Sequence, residues 1–269
     1  MDYDSKLIKD IVPSRLYFGG VRDGKNQQKT IYMSRKESSN DPAHNLAFQL
    51  APNHRDFVPR AKFGVDKLQE DNQNPWKRSI SLTMEDPDLL PFLTAVEDTV
   101  VEMAVARSEE LWGKGMDEAQ VRDRLQSVIK PSPSDSMALK PMAKVKLNLL
   151  NPDKPVDQQP KPTMVCVVDN EIAPCEEYPK GKLEMHQSSD PVQAIERNSR
   201  VLASVKCTSV WKSGFGFGIS LQMTHAIVWP HVSSSGVHDW MHLDGAVTVV
   251  TPAAKRTHED AFDADLMEQ

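Results

Sequence analysis

Residues 200–229 hold the feature that most limits how this chain can fold: two long extended arms, 200–212 and 217–229, joined at Lys212-Ser213-Gly214. Apolar residues such as Ile219, Leu221, Met223 and Ile227 run in a mostly alternating pattern, and no helix follows the glycines. The pair therefore reads as a long antiparallel hairpin, and a glycine-rich phosphate loop, which needs a helix after it, is excluded. Within SVWKSGFGFGISL, Gly216 and Gly218 alternate with Phe215 and Phe217. Glycine inside a strand marks a bulge, a tight bend or the close approach of another backbone. Further strands are expected at 30–34, 45–50, 144–150 and 163–169, with 236–250 as an additional candidate.

One helix interrupts this β pattern. Asp86-Pro87 offers an N-cap and a first-turn proline, after which Leu89, Leu93, Val96, Val100, Met103 and Leu111 recur at helical spacing. Gly113 to Gly115 ends it, and 117–129 reads as a second, short amphipathic helix through Val121, Leu125 and Val128. A helical hairpin is thus expected over 86–129. Residues 151–162 contain four prolines and read as an extended loop between two strands.

The start, MDYDSKLIKD, lacks the basic and apolar stretches of a signal peptide, and no apolar run reaches the roughly 18 residues of a membrane helix. The expectation is a soluble intracellular protein with no membrane contact. Cys166, Cys175 and Cys207 form no C-x-x-C pair and read as reduced packing residues.

A formal net charge of −6 hides a segregated distribution. Between Glu85 and Glu110 eight acids face one base, whereas 197–237 carries Arg197, Arg200, Lys206 and Lys212 with no acid. Residues 22–36 hold five bases against Asp23, and Lys140, Lys144 and Lys146 stand together unopposed. Lys144 and Lys146 are two apart, and Arg200 and Lys206 are evenly spaced, so each pair shares one face of its strand. Aromatics beside such lysines on strands form the kind of platform on which single-stranded nucleic acid stacks. The same aromatics, Trp211, Phe215 and Phe217, also suit a barrel core.

The order of these features resembles the single-stranded DNA-binding proteins of large eukaryotic DNA viruses, the poxvirus, asfarvirus and algal-virus group, distantly similar to phage single-stranded DNA-binding proteins. The resemblance runs through Thr30-Ile31-Tyr32, LAFQL at 46–50, VPRAKFGV at 58–65 and the helix DPDLLPFLTAVEDTVVEMAVARSEELWG. It continues through the lysine strand KPMAKVKLNLL, the hairpin SVWKSGFGFGISLQMTHAIV and the acidic tail. It implies a mainly β fold with α elaborations, an OB-fold-like five-stranded Greek-key barrel carrying the hairpin of 86–129, over 1–254, followed by a flexible acidic tail at 255–269. It implies a non-catalytic protein that coats single-stranded DNA in viral replication, recombination and repair, at a replication site in the host cytoplasm or nucleus. RNA as a second ligand and self-association along the strand stay open.

The residues expected at the nucleic acid are Tyr32, Arg35, Lys36, Lys144, Lys146, Arg200, Lys206, Trp211, Lys212, Phe215 and Phe217. In the tail, Glu259, Asp260, Asp263, Asp265 and Glu268 interleave with Phe262 and Leu266, which suits contact with replication proteins and competition for a basic groove. No cofactor is expected. His238 and His242 are four apart with His231 nearby, but no H-E-x-x-H, Walker lysine or nucleophile elbow is present, so neither a metal site nor catalysis is expected. The alternative is a structural or scaffold protein of the virion or replication complex that uses the same barrel for protein contacts.

Overall fold

The computed structural model describes residues 8–24, 28–35, 44–50, 58–66, 75–131, 140–168, 185–214 and 216–231. Lys36, Phe215, Cys175, the candidate strand at 236–250, His238, His242 and the acidic tail lie outside the described residues.

The protein is mainly β, and its described strands form one curled sheet. In chain order these are β1 (Leu16–Asp23), β2 (Lys29–Arg35), β3 (His44–Gln49), β4 (Lys77–Thr83), β5 (Ile129–Lys130) and β6 (Met142–Asn148). Then follow β7 (Met164–Val168), β8 (Met185–Gln187), β9 (Arg200–Cys207), β10 (Ser209–Ser213), β11 (Gly216–Ile219) and β12 (Leu221–Trp229). The main path runs β11-β10-β2-β3-β9-β12-β6-β4, with β1 beside β2, β5 beside β6, and β7 and β8 extending from β12.

The long hairpin organises this path. Each of its arms is broken once, at Thr208 and at Ser220, so that β10 and β11 pair near the tip while β9 and β12 pair near the base. β2 and β3 both bind the outer edge of the first arm, β2 on β10 and β3 on β9. β6 and β7 share one edge of β12 end to end, both parallel to it. Ser213 pairs with Gly216, and Gly214 has φ +53. The reversal therefore lies one residue later than the sequence suggests, with Lys212 and Ser213 still in the strand.

The helices are α1 (Leu89–Ala106), α2 (Ser108–Trp112), α3 (Glu118–Arg122) and α4 (Pro191–Ala194). α1 buries Leu89, Leu93, Val96 and Val100 in the same core as the inward strand residues, and Phe92 meets Phe48 edge-on at 5.0 Å. The second expected helix is much shorter than 117–129. A capping box between Asp117 and Gln120 starts α3, but the chain leaves helix after Arg122. Tertiary partners claim its backbone: Gln126 N–H donates to the Phe217 carbonyl at 2.8 Å, and Phe217 N–H donates to the Arg124 carbonyl at 3.1 Å. Segment 124–126 thus lies along β11, which explains the glycines there. A Cβ on Gly218 would stand 2.7 Å from the Gln126 carbonyl oxygen, and one on Gly216 2.5 Å from the Gln126 side chain. Of the roles open to a strand glycine, close approach by another backbone is the one used.

One acid of α1 is not part of a solvated face. Glu97 is buried, and its carboxylate accepts from Ser127 Oγ and Val128 N–H, both at 2.8 Å, which fixes the approach to β5. Burial holds its carboxyl above the ordinary 4.5, with a further push from Asp98, although the Ser127 and Val128 hydrogen bonds pull the other way. A raised folded-state value means the fold holds this proton more tightly than the unfolded chain does, so stability declines as pH rises from the ordinary value through the folded one. Glu97→Gln is expected to flatten that decline in urea melts taken across the acidic range. Glu97→Ala, which leaves the buried Val128 N–H without an acceptor, should cost about 1–3 kcal/mol at neutral pH.

Candidate nucleic-acid interface

Strand alternation decides which cations reach solvent together. In β6, Ala143, Val145 and Leu147 are buried while Lys144 and Lys146 are exposed between them. In β9, Val201, Ala203, Val205 and Cys207 point into the core, and Arg200, Leu202, Ser204 and Lys206 take the outward face. Register then joins the two strands: Gln222 on β12 stands opposite Lys146 on one side and Lys206 on the other. With neighbouring strands ~4.8 Å apart, the two lysine backbones are roughly 10 Å apart on one face. On β4, Ser79 and Ser81 stand opposite Lys146 and Lys144, with Lys77 one strand repeat beyond.

The Lys146 ammonium donates to Ser220 Oγ at 2.8 Å. Partial burial, then the like charges of Lys77 and Lys144, push it below the ordinary lysine value. Crowded cations that lower one another's proton affinity are a site an anion would relieve.

The aromatics lie further along the same strand face. Gln222, Ser220 and Gly218 share one parity through β12 and β11, and Gly218 stands opposite Trp211. The bare glycine lets the indole lie across it, 3.5 Å from where a Cβ would be, while Trp211 Nε1–H donates to the Ile219 carbonyl at 3.1 Å. Trp211 faces Thr30 on β2, and Tyr32, two residues on, is 51% exposed with the Arg22 guanidinium 4.7 Å above its ring. Tyr17 on β1, 49% exposed, stands opposite Ser34 and so belongs to the same face. Trp211, Tyr32 and Tyr17 therefore flank one end of an outward face whose other end carries Lys206, Lys146 and Lys144.

Several expected residues are not part of it. Phe217 is 0% exposed and packs edge-on against Trp112 at 5.4 Å, so it is core, not a stacking residue. The alternation that sends Trp211 outward sends the residue opposite Lys212 inward. Arg35 is also buried, at 6% exposed, because it follows Ile31 and Met33 on the inward side of β2. Lys212 lies across from Lys29 and Phe217, on the opposite face from Trp211. Arg200 has the outward parity of Lys206 but is six residues away, roughly 20 Å along the strand. There it stands opposite Trp229, which is buried with Val58 and Val168 in a small separate apolar cluster. Lys140 is paired with Glu85 at 2.6 Å and is not an unopposed cation.

Sequence reasoning missed Tyr17, Arg22 and Lys77. The signal for the first two lay in LYFGGVRD, an apolar strand whose two glycines disguise its alternation by placing a bulge opposite Tyr32.

No protein-family model and no curated protein matches this chain. Among the described residues, no group of three or more His, Cys, Asp or Glu is placed to hold a metal ion, and no helix is long and apolar enough to cross a membrane. Cys207 is fully buried, its thiol pushed up to about 12 by that burial, which leaves it a packing residue.

Proposed function

We propose that the protein binds single-stranded DNA without sequence preference and without catalysis, in the manner of the viral single-stranded DNA-binding proteins it resembles. In this reading the curled sheet is an OB-type barrel, and α1 to α3 are its inserted helical elaboration. The observation that carries the proposal is the shared outward face: the exposed rings of Tyr17 and Tyr32 and the half-buried ring of Trp211 at one end, and crowded lysines at the other. Rings stack on any base, and ammonium groups neutralise phosphates regardless of sequence. Lys36 and Phe215 are proposed to add to it. The acidic tail, through Glu259, Asp260, Asp263 and Asp265, would compete with the strand in cis, with Phe262 and Leu266 anchoring replication partners.

The deciding experiment is a tryptophan-fluorescence titration with poly-dT and with duplex DNA at two salt concentrations. Quenching by the single strand, weakening with salt and exceeding that by duplex, is expected. Equal or tighter duplex binding would reject the proposal, and no binding to either would favour a scaffold role.

Two further outcomes follow from the charges. Because Lys146 gives up its proton below the ordinary lysine value, single-strand affinity should start to fall at a lower alkaline pH in the wild type than in Lys146→Arg, whose guanidinium stays charged. Removing 259–269 should tighten binding at low salt and matter less as salt screens the competition, by comparison of dissociation constants across a salt series.

A further inference from the structure

A second cationic cluster lies on the other face of β10 from Trp211. Lys29 and Lys212 from β2 and β10, Lys114 from the link between α2 and α3, and Arg124 line a cleft of about 470 Å³ over Trp112 and Gly113. No acidic side chain is among its described lining residues. Backbone pairing sets where these residues stand. The Arg124 carbonyl is fixed by the Phe217 N–H on β11, and Lys29 and Lys212 are direct cross-strand partners. Like charges directly opposite one another on a sheet destabilise it. Lys29 is partly answered, since its ammonium donates to the Glu110 carbonyl at 2.6 Å and lies 3.5 Å from Asp23. Lys212, directly across from Lys29, and Lys114 add positive charge to the same space. A neighbouring cleft of about 490 Å³ shares Lys114 and Arg124 and has Asp123 on its wall.

We infer that this cleft binds a phosphate group carrying two or more charges, as found at the phosphorylated end of a nucleic-acid strand or in a nucleotide polyphosphate. A single phosphodiester brings one charge, against the two of Lys114 and Lys212 beside the partly answered Lys29. A terminal phosphate or polyphosphate brings several into a volume of this size. The site is on a different face from the stacking platform and does not depend on the single-strand proposal.

The test is calorimetric titration of the full chain with tripolyphosphate. Binding is expected, weakened at least tenfold in Lys114→Gln/Lys212→Gln and unchanged in Lys154→Gln/Lys161→Gln, exposed lysines outside both cationic clusters. Should the double variant fail to fold, Lys114→Glu at an exposed position serves instead. ATP against adenosine, and 5′-phosphorylated against 5′-hydroxyl oligo-dT, then separate the two sources: a preference for the phosphorylated form in either pair supports the inference and assigns the ligand. Absence of tripolyphosphate binding, no loss in Lys114→Gln/Lys212→Gln, or equal loss in Lys154→Gln/Lys161→Gln, would overturn it.

Discussion

Phe217→Ala is expected to lower the unfolding free energy by about 3–5 kcal/mol, the range for emptying a fully packed aromatic site. Phe217 is wholly buried, meets Trp112 edge-on, and sits on a strand whose free edge is covered by segment 124–126. That cover limits how far the site can collapse into the void. Phe217→Leu, which keeps most of the apolar volume, should lose clearly less. Urea melts of both variants check the order, and the surviving folded fraction of Phe217→Ala should still bind single strands with the wild-type constant. An alanine variant as stable as the wild type would show that Phe217 is not in the core.

Trp211→Ala is expected to do the reverse. Its ring lies outward across Gly218, so its loss should weaken binding of oligo-dT by about 1–3 kcal/mol, roughly 5- to 150-fold, with the salt dependence unchanged. Lys146→Gln/Lys206→Gln should show the complementary signature. Each lysine lost from a phosphate lowers the slope of log K against log salt by ~0.7, so the pair should lower it by about 1.4. Fluorescence anisotropy with labelled oligo-dT at four salt concentrations reads both quantities. The two signatures also discriminate between mechanisms, because a variant that merely loosened the sheet would change affinity and slope together. If Trp211→Ala and Tyr32→Ala both bind as the wild type does, the outward face is not the stacking surface.

The strand arrangement explains why these two aromatics, six residues apart in one motif, face opposite sides of the sheet. In the sequence, Trp211, Phe215 and Phe217 are equivalent: each is an aromatic beside a glycine or lysine in an extended stretch. Parity within a single strand is legible, and it correctly paired Lys144 with Lys146 and Arg200 with Lys206. Parity between strands is not, because it depends on register. The hairpin register places Trp211 opposite Gly218 and Lys212 opposite Phe217, and that one-residue offset sends one aromatic out and the other in.

By itself, then, the sequence determined what local physics can determine. It specified the two long arms about Gly214, the lysine strand, the existence of α1, which begins at Leu89 two residues after Pro87, and the separation of acids from bases, because each depends on spacing within one short segment. Only the tertiary structure decided where 117–129 would stop being helical, since the groups that end it, Phe217 on β11 and the buried Glu97, come from elsewhere in the chain. Only it decided that Lys146 and Lys206, sixty residues apart, would share a face through Gln222, and that Arg35 would be buried. The reason is the same in each case: side-chain direction on a strand is set locally, but what lies across from it is set by hydrogen bonds to strands that the local sequence does not contain.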